Sequence, residues 1–327
     1  MTVTIYLWYK YNMDIETGLV ITQGRAVLKS ASTLEELVEA FLAGQDVSTS
    51  SIKTYSRSLH QFICWLYSTG RASRMATLER EDILSYKDFL TSQKKSSYTV
   101  TLYVTSVRKF YQWLESKKVY PDISRGIKGA KKPRGFRKDS LTPEQLREAL
   151  VSMERVSLEG LRDYAIFNLM ARTGLRDIEV VRAQVKDIRQ ESGQAVLWIQ
   201  GKGRDSKDDF VLLTEEALKP IRQYLHSRTA QDEEPLFCSH SDRNTGKALT
   251  TRSISRIIKT ALRHIGLDDK RLTAHSLRHT AITLSIKGGA SLQQAQAMAR
   301  HSDPKTTLIY FHNIDRVKEG AEKCITF

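Results

Sequence analysis

Arg176, Lys202, His275, Arg278, His301 and Tyr310 stand in an order that suits the cutting of a phosphodiester. Two dense pieces hold four of them. One is His275-Ser276-Leu277-Arg278-His279, the other runs from His301-Ser302 through Thr306-Thr307 to Ile309-Tyr310. Guanidinium forks match phosphate oxygens, imidazoles and a lysine move protons, and a phenol oxygen attacks phosphorus. His275 and His279 are four residues apart, hence on one helical face. H-E-x-x-H zinc sites share that spacing. Here, however, Ser276 fills the second position, no glutamate base is present, and Arg278 would place a cation beside the metal. No metal is therefore expected. Lys202 lies between Gly201 and Gly203 in a tight turn, with no match to the phosphate loop G-x-x-x-x-G-K-[ST]. Gly174 breaks a helix two residues before Arg176, so that guanidinium stands at a corner where it can project into a cleft. Taken singly these are weak signals, since most arginines are surface groups and most tyrosines pack. The shared order carries the reading.

The chain has 327 residues, enough for two domains with separate cores. A net charge of +14 favours a polyanionic partner, nucleic acid ahead of an anionic membrane. Six lysines and arginines with no acid fall in residues 126–138. Cys64, Cys238 and Cys324 are far apart and form no C-x-x-C, which supports neither a zinc ribbon nor a disulfide framework and suggests reduced thiols in the cytosol. No apolar run approaches the roughly 20 residues of a membrane span, and the N-terminus lacks the layout of a secretory signal.

The elements that must position these groups are mainly helical. Two β-like runs at 3–9 and 19–28 predict a small hairpin or arm in residues 1–32. From Thr33, with Glu36 completing a capping box, apolar residues recur at three- and four-residue steps. Helices follow from near Ser50, over Arg80 to Ser92, and over about Ser96 to Lys117. Residues 33–125 thus form a helical bundle. Its polar faces carry Lys53, Arg57, Lys94, Lys95, Arg108 and Lys109, ordinarily solvated surface but here also a candidate DNA-facing wall. Residues 126–140 are a glycine- and proline-broken basic linker, whose Lys128, Lys131, Lys132, Arg134 and Arg137 suit a phosphate backbone. The second domain, 141–313, opens with Thr142 as an N-cap and Pro143 at the first helical position. It continues with helices at about 143–153 and 158–173, a hairpin over 195–200 and 210–213, and helices at about 214–228, 250–265, 274–287, 291–299 and 304–312. Residues 314–327 form a tail.

Together these residues resemble the tyrosine recombinase (phage integrase) family, including Xer-like enzymes. Thr173-Gly174-Leu175-Arg176 with Glu179 is similar to the family's first motif and Gly201-Lys202-Gly203 to its hairpin lysine. His275-Ser276-Leu277-Arg278-His279 is similar to its second box. His301-Ser302, Thr306-Thr307 and Ile309-Tyr310 are similar to the third, including the nine-residue step from histidine to tyrosine. The resemblance covers about residue 33 to the end. It implies a mainly α fold with a small β-sheet, a SAM-like helical core-binding domain followed by an α+β catalytic domain. One departure stands out: Arg300 occupies the position before the histidine where the family usually has glycine. The segment before residue 33 is also short for the arm-type domain of long phage integrases, which favours simple core sites.

The resemblance further implies a site-specific recombinase that cuts and rejoins DNA through a 3′-phosphotyrosine and a Holliday junction. Tyr310 is then the nucleophile, Arg176 and Arg278 the phosphate ligands, Lys202 the general acid, His275 the proton acceptor and His301 a phosphate donor. Glu179 and His279 support them. No cofactor is needed, because the covalent bond conserves the phosphodiester energy. The implied partners are double-stranded DNA, three further copies in a homotetramer on two duplexes with tails exchanged, and accessory DNA-bending or directionality proteins. No membrane is implied, and the expected location is cytoplasmic and nucleoid-associated. The rivals are a type IB topoisomerase, a telomere resolvase, or a non-catalytic DNA-binding regulator.

Overall fold

The structure, a computed structural model, describes residues 33–131, 140–201, 203–318 and 325. The expected hairpin in 1–32, the linker from 132 to 139, Lys202, and positions 319–324 and 326–327 of the tail lie outside the described residues. The chain divides into two units, residues 1–134 and 135–327.

Among the described residues of the first unit, four helices follow the apolar periodicity: α1 (Leu34–Ala43), α2 (Thr49–Ser68), α3 (Arg80–Ser92) and α4 (Ser97–Ser116). The Thr33 hydroxyl accepts the Glu36 N–H at 3.2 Å, and the Glu36 carboxylate accepts the Thr33 N–H at 2.9 Å, the reciprocal cap expected of that pair. The Ser48 and Ser96 hydroxyls cap α2 and α4 by accepting the N–H groups of Ser51 and Thr99, without the reciprocal bond. The buried faces meet in an aromatic core. Phe41 and Phe110 pack edge-on at 5.6 Å between centroids, and Phe62 and Tyr86 at 4.9 Å, the arrangement that ring quadrupoles favour.

The second unit is built around α6 (Leu158–Thr173), on which five successive residues, Ile166 to Met170, are buried. A helix covered on all sides is a core element, not an amphipathic surface one. It is flanked by α5 (Pro143–Ser152) and followed, after the left-handed Gly174 (φ 62°), by the short α7 (Asp177–Arg182). Three antiparallel strands come next in the order β1 (Ile188–Glu191), β2 (Gln194–Ile199) and β3 (Asp209–Leu212). β2 and β3 match the expected hairpin. β1 has one apolar residue in four and no strand signature of its own. It is made by the Ser192-Gly193 turn, both residues at positive φ (50° and 76°), which folds it back on β2.

Five further helices follow among the described residues: α8 (Glu215–Ser227), α9 (Thr251–His264), α10 (Ala274–Lys287), α11 (Leu292–Ala299) and α12 (Pro304–Lys318). Pro220 lies inside α8 and has no N–H for the carbonyl of Glu216, four residues back. The Asn168 side chain supplies the missing donor at 2.7 Å and ties α8 to α6. α12 runs past the expected end near 312, so the first residues of the expected tail are helical. Among the described residues no helix is long and apolar enough to cross a membrane.

Phe62 is 1% exposed and contacts Trp65, Tyr86 and Tyr111. Truncating such a side chain leaves a cavity as well as losing its transfer energy. Phe62→Ala should therefore destabilise the helical unit by about 3–5 kcal/mol, read as a lowered urea midpoint.

Candidate active site

Gly174 is the pivot of the site. Its left-handed backbone ends α6 and leaves its carbonyl pointing away from the helix ladder, where Arg278 Nη1 donates to it at 2.7 Å. Arg176 then becomes the N-cap of α7. Its own N–H donates to Glu179 Oε2 at 2.7 Å, and its Nη1 donates to Glu179 Oε1 at 2.7 Å. Glu179 is fully buried. Burial alone would raise its carboxyl, but Arg300, the Arg176 N–H and the Arg176 guanidinium outweigh that and hold it below the usual carboxylate range.

Arg278 is 2% exposed, and its Nη2 donates to the carbonyl of Ala299 at the end of α11. Burial, then the neighbouring Arg176 and Arg300, push its guanidinium down to about 9. α10 also brings His275 and His279 to one face as expected, with ring centroids 4.7 Å apart. His275 is exposed and His279 buried. His301 follows α11. Its Nδ1 pairs with the buried Thr307 hydroxyl at 2.9 Å, and its carbonyl accepts from Gln296 at 2.9 Å, which together fix the ring.

Tyr310, on α12, is 4% exposed. Its hydroxyl lies 2.7 Å from His279 Nδ1, and its ring lies 5.3 Å from that of His279 and 6.3 Å from that of His301. Burial raises the phenol to about 12 against the pull of Arg278 and Arg176. Burial, followed by nearby histidine and arginine groups, lowers His279 to about 4. His301 also falls to about 4, through burial and then Arg278, Arg176 and Arg300. Both imidazoles are therefore neutral near pH 7. With the phenol raised and the imidazole lowered, the proton stays on the Tyr310 oxygen and the hydroxyl rests protonated.

The structure thus gathers Arg176, Glu179, Arg278, His279, His301 and Tyr310, with His275 beside His279 at the rim. His279, given only a supporting part by its position in the motif, is the side chain that holds the tyrosine hydroxyl. Lys202 lies outside the described residues, but the base of its hairpin is anchored. Lys207 Nζ donates to Asp187 at 2.6 Å and to Gln184 at 2.8 Å. Nothing in the sequence marks that pair, because its members lie on separate elements. Of the expected DNA-facing cations, Lys53 and Arg57 are exposed on α2, four residues apart and so on one face. Lys109, Lys128 and Lys131 are exposed, and Arg108 is half-buried. Lys132, Arg134 and Arg137 lie outside the described residues.

A family model described as the phage integrase family matches residues 139–316. A second, the phage integrase N-terminal SAM-like domain, matches residues 34–118. The tyrosine recombinase XerD of Listeria monocytogenes is 29% identical over 286 residues, covering 85% of this chain and 93% of that protein. The tyrosine recombinase XerC of Chlamydia caviae is 28% identical over 86% of this chain and 97% of that protein. Among solved structures, the XerH site-specific recombinase in a post-cleavage complex with palindromic difH substrate aligns with a TM-score of 0.70 at 21% identity. That alignment covers 90% of this chain and 84% of that one. A lambda integrase dimer bound to a COC′ core site gives 0.64 at 13% identity over 84% of this chain and 97% of that one. At such identities the structural matches speak to the fold.

The depressed His279 makes stability depend on pH in a definite direction. The unfolded chain protonates this imidazole near 6.5, while the folded protein resists until about 4. Its contribution is therefore intact above 6.5 and lost as pH falls toward 4. Between pH 7.5 and pH 5 the wild type should lose about 2 kcal/mol more unfolding free energy than His279→Gln, measured by urea titration at both pH values.

Proposed function

The chain belongs to the phage integrase family and is a tyrosine-type site-specific recombinase, and from that premise we propose that Tyr310 is the nucleophile of its strand transfer. The Tyr310 oxygen attacks the scissile phosphorus, the P–O5′ bond breaks, a 3′-phosphotyrosine forms and a 5′-hydroxyl leaves. A 5′-hydroxyl from a second duplex then attacks the phosphotyrosine and restores the phosphodiester, passing through a Holliday junction. The observation that carries the reading is the gathering of Tyr310 with His279 and His301 beside the Arg176–Glu179 and Arg278 guanidinium cluster.

Arg176 and Arg278 bind the non-bridging oxygens and stabilise the charge that builds on them in the transition state. Both guanidiniums already pull the Tyr310 phenol down against the larger effect of burial, and the closer approach required for attack strengthens that pull. His279 holds the hydroxyl before DNA arrives. His275, the exposed imidazole next to it, takes the proton once the hydroxyl moves to phosphorus. His301, held by Thr307 through Nδ1, is left with Nε2 to donate to the phosphate. Lys202 protonates the leaving O5′. No cofactor enters this scheme.

In the proposed assembly four protomers act on two DNA duplexes, with the tail beyond α12 exchanged between neighbours and accessory DNA-bending or directionality proteins setting the outcome. Lys53, Arg57, Arg108, Lys109, Lys128, Lys131, Lys132, Arg134 and Arg137 follow the phosphate backbone of the duplex. The enzyme works in the cytoplasm, on the nucleoid.

Four measurements check this. On a nicked suicide substrate the wild type should form a covalent protein–DNA adduct and Tyr310→Phe none. An undiminished adduct with Tyr310→Phe removes the assignment, and relaxation without exchange in a two-site assay moves it to a topoisomerase. Lys202→Ala should slow cleavage by about 10²–10⁴-fold, and a 5′-sulfur leaving group, which needs no proton, should restore most of it. Deleting residues 319–327 should abolish the tetramer on DNA in light scattering; a tetramer that persists rules out the tail exchange.

A further inference from the structure

Arg300 fits its place poorly by local rules. It is the C-cap of α11 in the left-handed region, φ 52° and ψ 48°. Glycine adopts that conformation freely, whereas an L side chain there costs on the order of 1 kcal/mol. Its side chain is 6% exposed and its Nε has no hydrogen-bond partner among the described residues. Burial lowers its proton affinity, with Glu179 working against that. A strained backbone holding a desolvated cation adds little to stability, since glycine at the cap would serve the turn better. Such an outlier points to the chemistry beside it.

Its partner is Glu179. Arg300 Nη2 donates to Glu179 Oε2 at 2.9 Å, the same oxygen that accepts the Arg176 N–H. The other oxygen takes Arg176 Nη1. A carboxylate facing one guanidinium forks it with both oxygens. Here Oε2 is already occupied twice, so Glu179 meets the Arg176 side chain through Nη1, and that side chain stays 29% exposed. Arg300 Nη2 also lies 3.5 Å from the Gly174 carbonyl that anchors Arg278. Arg300 Nη1 donates to the Met298 carbonyl and Arg278 Nη2 to that of Ala299, so three guanidiniums are held by one carboxylate and the carbonyls of Gly174, Met298 and Ala299.

We propose that Arg300 is a positioning residue for strand transfer: it shares the charge of Glu179 with Arg176, so that Arg176 and Arg278 keep a net positive charge toward the scissile phosphate. This rests on the assignment of Tyr310 as nucleophile. Without Arg300, Glu179 turns its second oxygen to Arg176, and the pair loses both a free donor and net charge.

The full chain is tested on a nicked suicide substrate with Arg300→Gly, which suits the backbone, and Arg300→Met, which keeps the stem and loses the charge. Thermal unfolding selects variants that remain folded. Either variant should form adduct at least about tenfold more slowly at saturating DNA (about 1.4 kcal/mol of barrier), with the half-saturating DNA concentration changed much less. The sharper sign is epistatic. Glu179→Gln in the Arg300→Gly background should speed adduct formation relative to Arg300→Gly alone, because the charge that misdirects Arg176 is gone. A purely structural cap predicts wild-type rates for Arg300→Gly and no such rescue; either result overturns the proposal. A wild type that forms no adduct, or a Tyr310→Phe that forms as much, overturns the nucleophile assignment and this inference with it.

Discussion

Like charges held together out of water are the constraint on which the catalytic unit depends. Arg176, Arg278 and Arg300 converge where two of the three are nearly dry, and repulsion and desolvation both act against that. The fold answers with fixed acceptors: the carboxylate of Glu179 and the carbonyls of Gly174 and Ala299. Those carbonyls are available because helices end there. α6 stops at a left-handed glycine and α11 at a left-handed arginine, and each break aims backbone dipoles at cations instead of along a helix ladder. Chain direction and charge placement are therefore one device.

The same cations govern the tyrosine. Burial pushes Tyr310 up while Arg278 and Arg176 pull it down, and burial prevails in the arrangement described. The histidines are driven to the neutral form by burial and by the neighbouring cations. Neutral imidazoles and a protonated phenol sit beside strong positive charge, a combination stable at rest and poised for an anion. In the proposed reaction a phosphate brings that anion, relieves the repulsion among the guanidiniums and draws the phenol oxygen from His279 toward phosphorus. The short α7, the sheet and the Lys207–Asp187 anchor contribute by fixing where each group can stand.

Legibility varied with the range of the interaction. α3, α6 and α10 run over the residues that periodicity and capping predicted, because those signals lie within a few residues of each other. β1 was not visible, although Ser192-Gly193 is a hairpin turn signal, since its strand character comes from pairing and not composition. α12 outran its expected end because no glycine or proline stops it. Thr307, named as part of a motif, turned out to be the group that orients His301.

The sequence by itself determined the helical plan, the two-part organisation and the order of cations, imidazoles and phenol, all of which depend on local pattern. It also exposed Arg300 as out of place. Only the tertiary structure decided that His279 rather than His275 holds the Tyr310 hydroxyl, and that Arg300 is buried on Glu179, 121 residues away. Helical spacing leaves both histidines on one face, and packing of α12 against α10 chooses between them. Pairings between distant charges follow from how helices close on one another, and short-range propensity carries no record of that closure.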